Sequence, residues 1–252
     1  MKYLSLTDKV AIVTGAAGGI GRSISMELAQ VGCSIIAVDI DSCGINETTK
    51  CIQSSGGKAI PIAINILDVE QINNLVDYVM ATWGRIDILI NNAGVCIAND
   101  FELISDLEWS KVIDVNLTGA FNLCRAVIPL FKASKQGVII NISSLAGRRS
   151  SVMGGAHYSA SKAGILGLTR HLAKEVAPYG IRVNAICPGA IKTKMQYGSL
   201  SSDELEKKAK KIPLRRIGEP EDVAYLTVFL ASDLASFITG ATIDVNGGSL
   251  MM

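Results

Sequence analysis

Short apolar runs that alternate with longer amphipathic stretches are the feature that most constrains the fold of this chain. Runs without regular polar alternation are typical of strands that are buried on both faces. Candidate strands of this kind are Val10–Thr14, Ser34–Asp39, Ala59–Ile64, Ile86–Asn91, Val138–Ser143, Arg182–Cys187 and Thr242–Asn246. Helical patterns fill the intervals, at 22–31, 44–54, 69–82, 106–132, 156–177 and 220–231. The alternation predicts an α/β fold, a doubly wound, seven-stranded parallel sheet with helices on both faces.

The chain reads as one domain over residues 1–252, because no linker or change in composition divides it. Hydrophobic residues make up 49% of it, enough for a sizeable core. The segment 193–216 interrupts the alternation of strands and helices, since no strand follows Pro188-Gly189 there. It contains a charged helical pattern that Ser201 is predicted to cap. We expect this segment to form a short helical lid over a site.

Charge and composition limit the partners of the protein. A net charge of +1 argues against a nucleic-acid or membrane-surface partner, because both require a concentrated basic face. The six cysteines show no paired spacing, and the two histidines do not stand at ligand spacing from them, so no metal site is predicted. No run approaches the ~20 apolar residues of a membrane span. The sequence predicts a soluble, cytoplasmic protein with a small-molecule substrate.

A glycine-rich turn joins the first predicted strand to the first helix. Phosphate binding requires such a turn, because glycines allow a close backbone approach and the helix start offers free N–H groups. The residues predicted to hold a pyrophosphate are Gly15, Gly18, Gly19, Ile20 and Gly21. Asp39 ends the second strand, where a carboxylate accepts hydrogen bonds from ribose hydroxyls and repels a 2′-phosphate. Ile40 follows it and no arginine occupies the turn, so NAD(H) is favoured over NADP(H).

The chain resembles the classical short-chain dehydrogenase/reductase (SDR) family. Three motifs carry the resemblance: the spacing Gly15-x-x-x-Gly19-x-Gly21, the segment Asn91-Asn92-Ala93-Gly94, and Tyr158-x-x-x-Lys162. The similarity extends over nearly the whole chain. It implies an oxidoreductase that interconverts a secondary alcohol and a ketone by hydride transfer, and a homotetramer built as a dimer of dimers. Small residues on the Tyr158 helix, including Gly164 and Gly167, would permit close packing between subunits, although the chain's own helices are an alternative occupant.

The resemblance also assigns the remaining contacts to the cofactor. Asn65 takes the place of the residue that meets the adenine amino group, with Ile66 beside it. Asn91, Ala93 and Gly94 would line the adenosine ribose side. The nicotinamide end would be held by Pro188, Gly189, Ile191 and Thr193, together with Tyr158 and Lys162.

Tyr158 and Lys162 are the predicted acid–base pair. Their spacing of four residues places them on one face of a helix. An unperturbed tyrosine has a pKa near ~10, so we expect the lysine and an oxidised nicotinamide to lower it. By resemblance, Ser144 positions the substrate oxygen, in preference to its neighbour Ser143, and Asn116 holds a water that links Lys162 to solvent. The residues alone would instead place Asn116 on a helix surface.

The sequence predicts the substrate less specifically than it predicts the type of reaction. The pocket is expected to contain Cys96, Ser144, Met153, Tyr158 and Met195, with Arg148 and Arg149 either near an acidic substrate or solvated. The general likeness is to the branch of 3-oxoacyl-carrier-protein reductases and of polyol and hydroxysteroid dehydrogenases. An NAD-dependent alcohol dehydrogenase is the main hypothesis. A carrier-protein reductase is the alternative, although Asp39 departs from its usual NADPH preference, and its two basic positions hold Lys135 and Tyr179. A dinucleotide sensor without catalysis is the third.

Overall fold

Seven parallel strands form a single sheet in the order β3-β2-β1-β4-β5-β6-β7 in a computed structural model of the chain. The structure describes residues 4–151, 154–193, 197 and 201–251. The strands are β1 Val10–Thr14, β2 Ser34–Asp39, β3 Ala59–Ala63, β4 Ile88–Asn91, β5 Gly137–Ile142, β6 Ile181–Pro188 and β7 Thr242–Val245. The predicted fold class is confirmed, and the strand limits differ from prediction by a few residues. Consecutive numbering reverses between β1 and β4, which opens a crevice at their carboxyl ends.

Helices cover both faces of this sheet. They are α1 Gly19–Gln30, α2 Ser42–Ser54, α3 Val69–Trp83, α4 Asp106–Ile113, α5 Gly119–Ser134, α6 Ala156–Val176, α7 Ser202–Ala209 and α8 Pro220–Ala231. None of the described helices is both long enough and apolar enough to span a bilayer. No disulfide joins the six cysteines, all of which the structure describes.

Alternate residues of the central strands enter two separate cores on opposite faces of the sheet. In β1, Ala11 and Val13 pack on the side of α1 and α8, and Ile12 packs on the side of α3 and α5. The same division holds in β5, where Ile140 lies in the first core and Ile139 in the second. Successive side chains of a strand point to opposite faces, so burial on both faces requires an uninterrupted apolar run. This requirement explains why the strands carry little polar alternation.

The predicted helix 106–132 is not continuous, which corrects the sequence-based expectation. A π-helical turn, Asp114–Thr118, separates α4 from α5, and the Gly119 N–H donates to the Asp114 carbonyl five residues earlier. Apolar periodicity does not reveal such a turn, because helix continues on both sides of it. The turn carries Asn116, which is 2% exposed rather than on the helix surface.

The segment after β6 contains the predicted short helix. Ser201 caps α7 as expected: its Oγ accepts from the Glu204 N–H at 3.4 Å, and the Glu204 carboxylate accepts from the Ser201 N–H at 2.9 Å. Tyr197 is 8% exposed, and the Lys208 ammonium lies 5.5 Å from the centre of its ring. The function of 193–216 as a lid stays a prediction.

Candidate active site

A cavity of about 580 Å³ opens at the carboxyl ends of the strands, beside the reversal of strand order. All residues predicted to contact the cofactor line it, except Gly21 and Asn91. Its walls also contain residues that the sequence analysis did not assign to the cofactor: Ile64, Asn92, Val95, Lys111, Val115, Ile142, Ser143 and Ser144. Lys111 and Val115 were missed, although their spacing of four residues on a helix places them on one face.

The glycine turn brings backbone close to the floor of the cavity. Gly15 has φ +66° and Gly19 has φ +51°, values that favour glycine. A Cβ on Gly21 would overlap the carbonyl oxygen of Gly15. Gly21 therefore allows the turn to pack closely against the start of α1, although it does not line the cavity itself. Gly18 directly precedes α1, and no side chain caps the helix there. A Cβ on Gly18 would have no heavy atom within 4 Å other than those of its chain neighbours. The turn therefore leaves the N–H groups at the start of α1 without a side-chain cap, and their binding of a phosphate stays a prediction.

Asp39 lies at the rim of the same cavity. Its Oδ2 accepts from the Ala17 N–H at 3.1 Å, and its Oδ1 accepts from the Asp41 N–H at 3.1 Å. Ile40 is 76% exposed beside it. Arg22, the nearest arginine in sequence, donates to the Ala17 carbonyl and the Thr48 hydroxyl and pairs with the Glu47 carboxylate at 2.9 Å. The Asp39 carboxylate is thus fixed at the cavity rim by two backbone N–H groups.

The side chains of the two asparagines at the end of β4, Asn91 and Asn92, do not lie as the sequence predicts. The Asn91 side chain turns into the sheet, where its Nδ2 donates to Asn141 Oδ1 at 2.8 Å. Asn92 lines the cavity instead, and its Nδ2 donates to the Thr14 carbonyl at 3.0 Å and the Gly15 carbonyl at 3.2 Å. Alternation along the strand explains this difference, because Asn91 is the last residue of β4 and its neighbour points the other way.

Tyr158, Lys162 and Ser144 meet at the inner end of the cavity. Lys162 is 5% exposed, its ammonium donates to the Ile142 carbonyl at 3.0 Å, and it lies 5.9 Å from the centre of the Tyr158 ring. Ser144 follows β5, and its hydroxyl lies close enough to the Tyr158 phenol to lower the pKa of that phenol. Ser143 points elsewhere, since its Oγ donates to the Lys162 carbonyl at 2.8 Å. The structure thus brings together the serine, tyrosine and lysine that the sequence selects.

Burial raises the pKa of Tyr158 to about 12, and the hydrogen bond with Ser144 opposes that rise only partly. Burial also lowers the pKa of Lys162 to about 8. The expected lowering of the tyrosine pKa by the lysine is therefore wrong for this state of the protein. The cause is desolvation, which disfavours both the phenolate and the ammonium in the same apolar surroundings. Tyr158 is a protonated phenol at neutral pH, which suits a proton donor.

Asn116 is hydrogen-bonded to residues next to the reacting groups. Its Oδ1 accepts from the Val95 N–H at 2.7 Å, and its Nδ2 donates to the Val95 carbonyl at 2.9 Å and to Ser161 Oγ at 3.0 Å. The site thus gains Ser161, a fully buried hydroxyl that the sequence analysis missed. Its position in Tyr158-x-x-Ser161-Lys162, on the same helix, is the signal that would have found it.

The residues expected around the substrate are only partly described. Cys96 lies near enough to Lys162 and Tyr158 to influence the pKa of both, although it is not part of the cavity wall given above. Met153 and Met195 lie outside the described residues. Arg148 is neither solvated nor directed at a substrate, because it lies 3.1 Å from the Asp244 carboxylate and donates to the Thr242 carbonyl at 2.6 Å. It ties the turn after Ser144 to β7.

A glycine turn at a strand-order reversal, beside a buried serine, tyrosine and lysine, defines a class of dinucleotide-dependent oxidoreductases. The comparison with known proteins agrees with this class. Residues 15–249 match the family model described as enoyl-(acyl carrier protein) reductase. The chain belongs to the short-chain dehydrogenase/reductase family, in its 3-oxoacyl-carrier-protein reductase-like branch. The family binds NAD(P).

Similar proteins include 3-oxoacyl-carrier-protein reductases and levodione reductase. The chain is 40% identical to the 3-oxoacyl-[acyl-carrier-protein] reductase FabG of Thermotoga maritima, over 97% of this chain and 99% of that protein. A 3-oxoacyl-[acyl-carrier protein] reductase from Brucella melitensis with bound NAD has a TM-score of 0.90 at 35% identity, covering 99% and 94% of the two chains. Levodione reductase has a TM-score of 0.90 at 31% identity, covering 96% and 97%.

Proposed function

We propose that this protein reduces the 3-oxo group of an acyl thioester to a hydroxyl, with NADH as the preferred hydride donor. The observation that carries the proposal is the buried Tyr158 phenol, which has a pKa of about 12 and shares the cavity wall with Ser144 and Lys162. A donor that is protonated at neutral pH matches ketone reduction. The 40% identity to a 3-oxoacyl-carrier-protein reductase supports this substrate class over a free alcohol.

The proposed roles follow from the contacts in the cavity. The Ser144 and Tyr158 hydroxyls donate hydrogen bonds to the substrate carbonyl oxygen and polarise it. A bound nicotinamide dinucleotide supplies the hydride that the carbonyl carbon accepts. Tyr158 gives its proton to the oxygen, which completes the alcohol. Lys162 stabilises the resulting phenolate, since its pKa of about 8 leaves most of it cationic at neutral pH. One solvent proton, which reaches the site on the side of Asn116, restores the phenol.

The preference for NADH rests on Asp39 and Ile40. The carboxylate is fixed by two backbone N–H groups, and a 2′-phosphate placed there would be repelled. Ile40 offers that phosphate no hydrogen-bond donor. The Brucella melitensis reductase, which carries NAD, is an example of a similar protein of this substrate class with this coenzyme.

A second candidate is an NAD-dependent dehydrogenase of small secondary alcohols. It is favoured by Tyr179, which occupies one of the two positions where the resemblance implies a base for an acidic carrier. The other position holds Lys135, and Lys132 lies over the Tyr179 ring with its ammonium 5.0 Å from the ring centre. The similarity to levodione reductase, a ketone reductase by name, also supports this candidate.

A substrate screen tests the two candidates together. Purified protein is assayed for NADH oxidation with acetoacetyl thioesters of coenzyme A and of carrier protein, and for NADH formation with polyols and hydroxysteroids. We expect the thioesters to give the highest kcat/KM. A higher kcat/KM with a free alcohol would overturn the substrate class in favour of the second candidate. Tyr158→Phe is the control: NADH binding without turnover is expected, and retained turnover would overturn the acid–base role.

We also propose that the protein assembles as a dimer of dimers. Large apolar side chains are exposed on and near α4 and α5: Phe101, Leu103, Leu107, Trp109 and Phe121. The small-residue surface of α6 is partly used within the chain, because a Cβ on Gly164 would come within 2.7 Å of Leu117. Light scattering after gel filtration is expected to give four times the mass of the 26.7 kDa chain, and a monomer mass would overturn this proposal.

A further inference from the structure

His157 is fully buried at the start of α6, next to Tyr158 in sequence. Its Nε2 lies 2.8 Å from Glu108 Oε1, and its Nδ1 accepts the Tyr158 N–H at 3.0 Å. A neutral imidazole carries one proton, so acceptance at Nδ1 assigns that proton to Nε2, where it is donated to the carboxylate. The ring therefore joins a carboxylate on α4 to the backbone of Tyr158. The reaction proposed above does not use either side chain.

The start of α6 lacks the usual polar cap, which gives the imidazole a structural task. The N-cap residue is Gly155, and no side chain caps the helix there. The first N–H groups of a helix have no partner within it, and the Tyr158 N–H is in this first turn. His157 Nδ1 accepts from it, alongside a bond of 3.1 Å to the Gly155 carbonyl. A Cβ on Gly155 would lie 2.7 Å from His157 Cε1, so this glycine makes room for the ring.

Glu108 connects the imidazole to the other elements around the site. Its Oε2 accepts from Asn99 Nδ2 at 3.3 Å, in the loop that follows β4. The same loop is joined to the start of α6, because the Gly155 N–H donates to the Ile97 carbonyl at 2.9 Å. Three segments that border the cavity thus meet at the pair of His157, which is fully buried, and Glu108, which is partly buried.

The backbone carbonyl of Tyr158 also has a side-chain hydrogen-bond partner. Ser161 Oγ donates to it at 2.8 Å and accepts from Asn116 Nδ2 at 3.0 Å. Both backbone groups of Tyr158 are therefore tied to the region of α4 and the π-helical turn, one through His157 and Glu108, the other through Ser161 and Asn116. Such double attachment limits how far the phenol can move relative to Ser144.

We propose that Glu108 and His157 are positioning residues that set the Tyr158 phenol in line with Ser144 for proton transfer. The inference rests on the proposed function, since it assumes that Tyr158 is the acid–base residue. Displacement of a reacting group by about 1 Å costs on the order of a hundredfold in rate. Loss of the pair therefore lowers kcat while the cofactor contacts outside α6 stay intact.

The test compares variants that separate the hydrogen bonds from the packing. His157→Phe keeps an aromatic ring in the buried site but removes both nitrogens, and Glu108→Ala removes the carboxylate. We expect each to lower kcat by about tenfold or more, with the KM for NADH changed by less than about twofold. Glu108→Gln keeps an oxygen that accepts from Nε2 and is expected to restore most of kcat. His171→Ala, which deletes the histidine of the exposed His171–Glu175 pair on the same helix, is the matched control.

Folding is checked by thermal melting and by NADH binding. A folded His157→Phe protein with kcat within about twofold of wild type overturns the proposal. If that variant does not fold, Glu108→Ala decides by the same criterion. Equal losses in Glu108→Ala and Glu108→Gln also overturn it, because the hydrogen bond would then be irrelevant. Retained turnover in Tyr158→Phe would instead refute the proposed function, so the two failures are distinguishable.

Discussion

The amide of Asn116 pairs with both backbone groups of Val95, accepting from its N–H at 2.7 Å and donating to its carbonyl at 2.9 Å. This pairing resembles the bonding between two strands, but one partner is a side chain from a helix. It fixes the start of the loop that follows Gly94, where the cavity passes from the coenzyme region to the substrate region. The third bond of the amide, to Ser161, connects the same point to the Tyr158 helix.

Asn116→Asp tests this pairing with almost no change of shape. A carboxylate keeps the acceptor but replaces the Nδ2 donor with an oxygen that faces the Val95 carbonyl. Because the site is buried, we expect the free energy of unfolding to fall by about 3 kcal/mol. Urea unfolding measures it. Asn46→Asp, on the exposed face of α2, is the control and is expected to change stability by less than about 1 kcal/mol. Equal effects at the two positions would contradict the assigned role.

Asp39→Ser tests the coenzyme preference. The substitution removes the negative charge at the rim of the cavity, so a 2′-phosphate is no longer repelled there. We expect the ratio of the Kd for NADPH to the Kd for NADH to fall by about tenfold or more, which corresponds to about 1.4 kcal/mol. Fluorescence titration with both coenzymes measures the ratio. Asp41→Ser, at the cap of α2, removes a carboxylate outside the cavity wall and is expected to leave it unchanged.

Ser144→Ala tests the hydroxyl that is bonded to Tyr158. Its loss removes one of the two donors proposed for the substrate oxygen, and removal of such a donor costs about a hundredfold to a thousandfold in kcat. It also removes the hydrogen bond that lowers the tyrosine pKa. Steady-state kinetics measure the loss. Ser143→Ala deletes a hydroxyl that bonds to the Lys162 carbonyl, and we expect it to affect stability more than kcat. A larger kcat loss at Ser143 would reverse the assignment.

Lys162→Met tests the electrostatics of the buried lysine through stability. Burial lowers the pKa of Lys162 from 10.5 to about 8. Above pH 8 the folded protein loses this proton while the unfolded chain keeps it until about pH 10.5, so stability from this group rises with pH over that interval. We expect wild type to gain about 3 kcal/mol relative to the variant between pH 7 and pH 10.5. Chemical unfolding at several pH values measures the difference. A constant difference would show that the lysine is not desolvated.

The strands and the glycine turn were predictable from the sequence because each depends on local chemistry, whereas Ser144 and Asn116 were selected only by the resemblance to the family. Burial on both faces demands apolar runs, and the turn after β1 requires glycines. Other features depend on geometry that the sequence does not display. The wide turn around Asn116 leaves the apolar pattern of its helix unbroken. The sequence does not show that the Asn91 side chain turns into the sheet toward Asn141 while Asn92 lines the cavity. The pKa of Tyr158 depended on how completely the folded chain excludes solvent, which spacing to Lys162 cannot reveal.

The π-helical turn at Asp114–Thr118 has a consequence for the rotational phase of the helices beside it. Each residue of an α-helix advances the side chains by about 100° around the axis. An extra residue in one turn therefore rotates the buried face of α5, which carries Leu123 and Phe131, relative to that of α4, which carries Val112. The two helices, joined by this turn, thereby present Glu108 to the Tyr158 helix and the aromatic ring of Phe131 to the sheet. Deleting a single residue of the turn would restore regular α-helical hydrogen bonding. The buried faces of α4 and α5 would then no longer both point to the elements that they now contact.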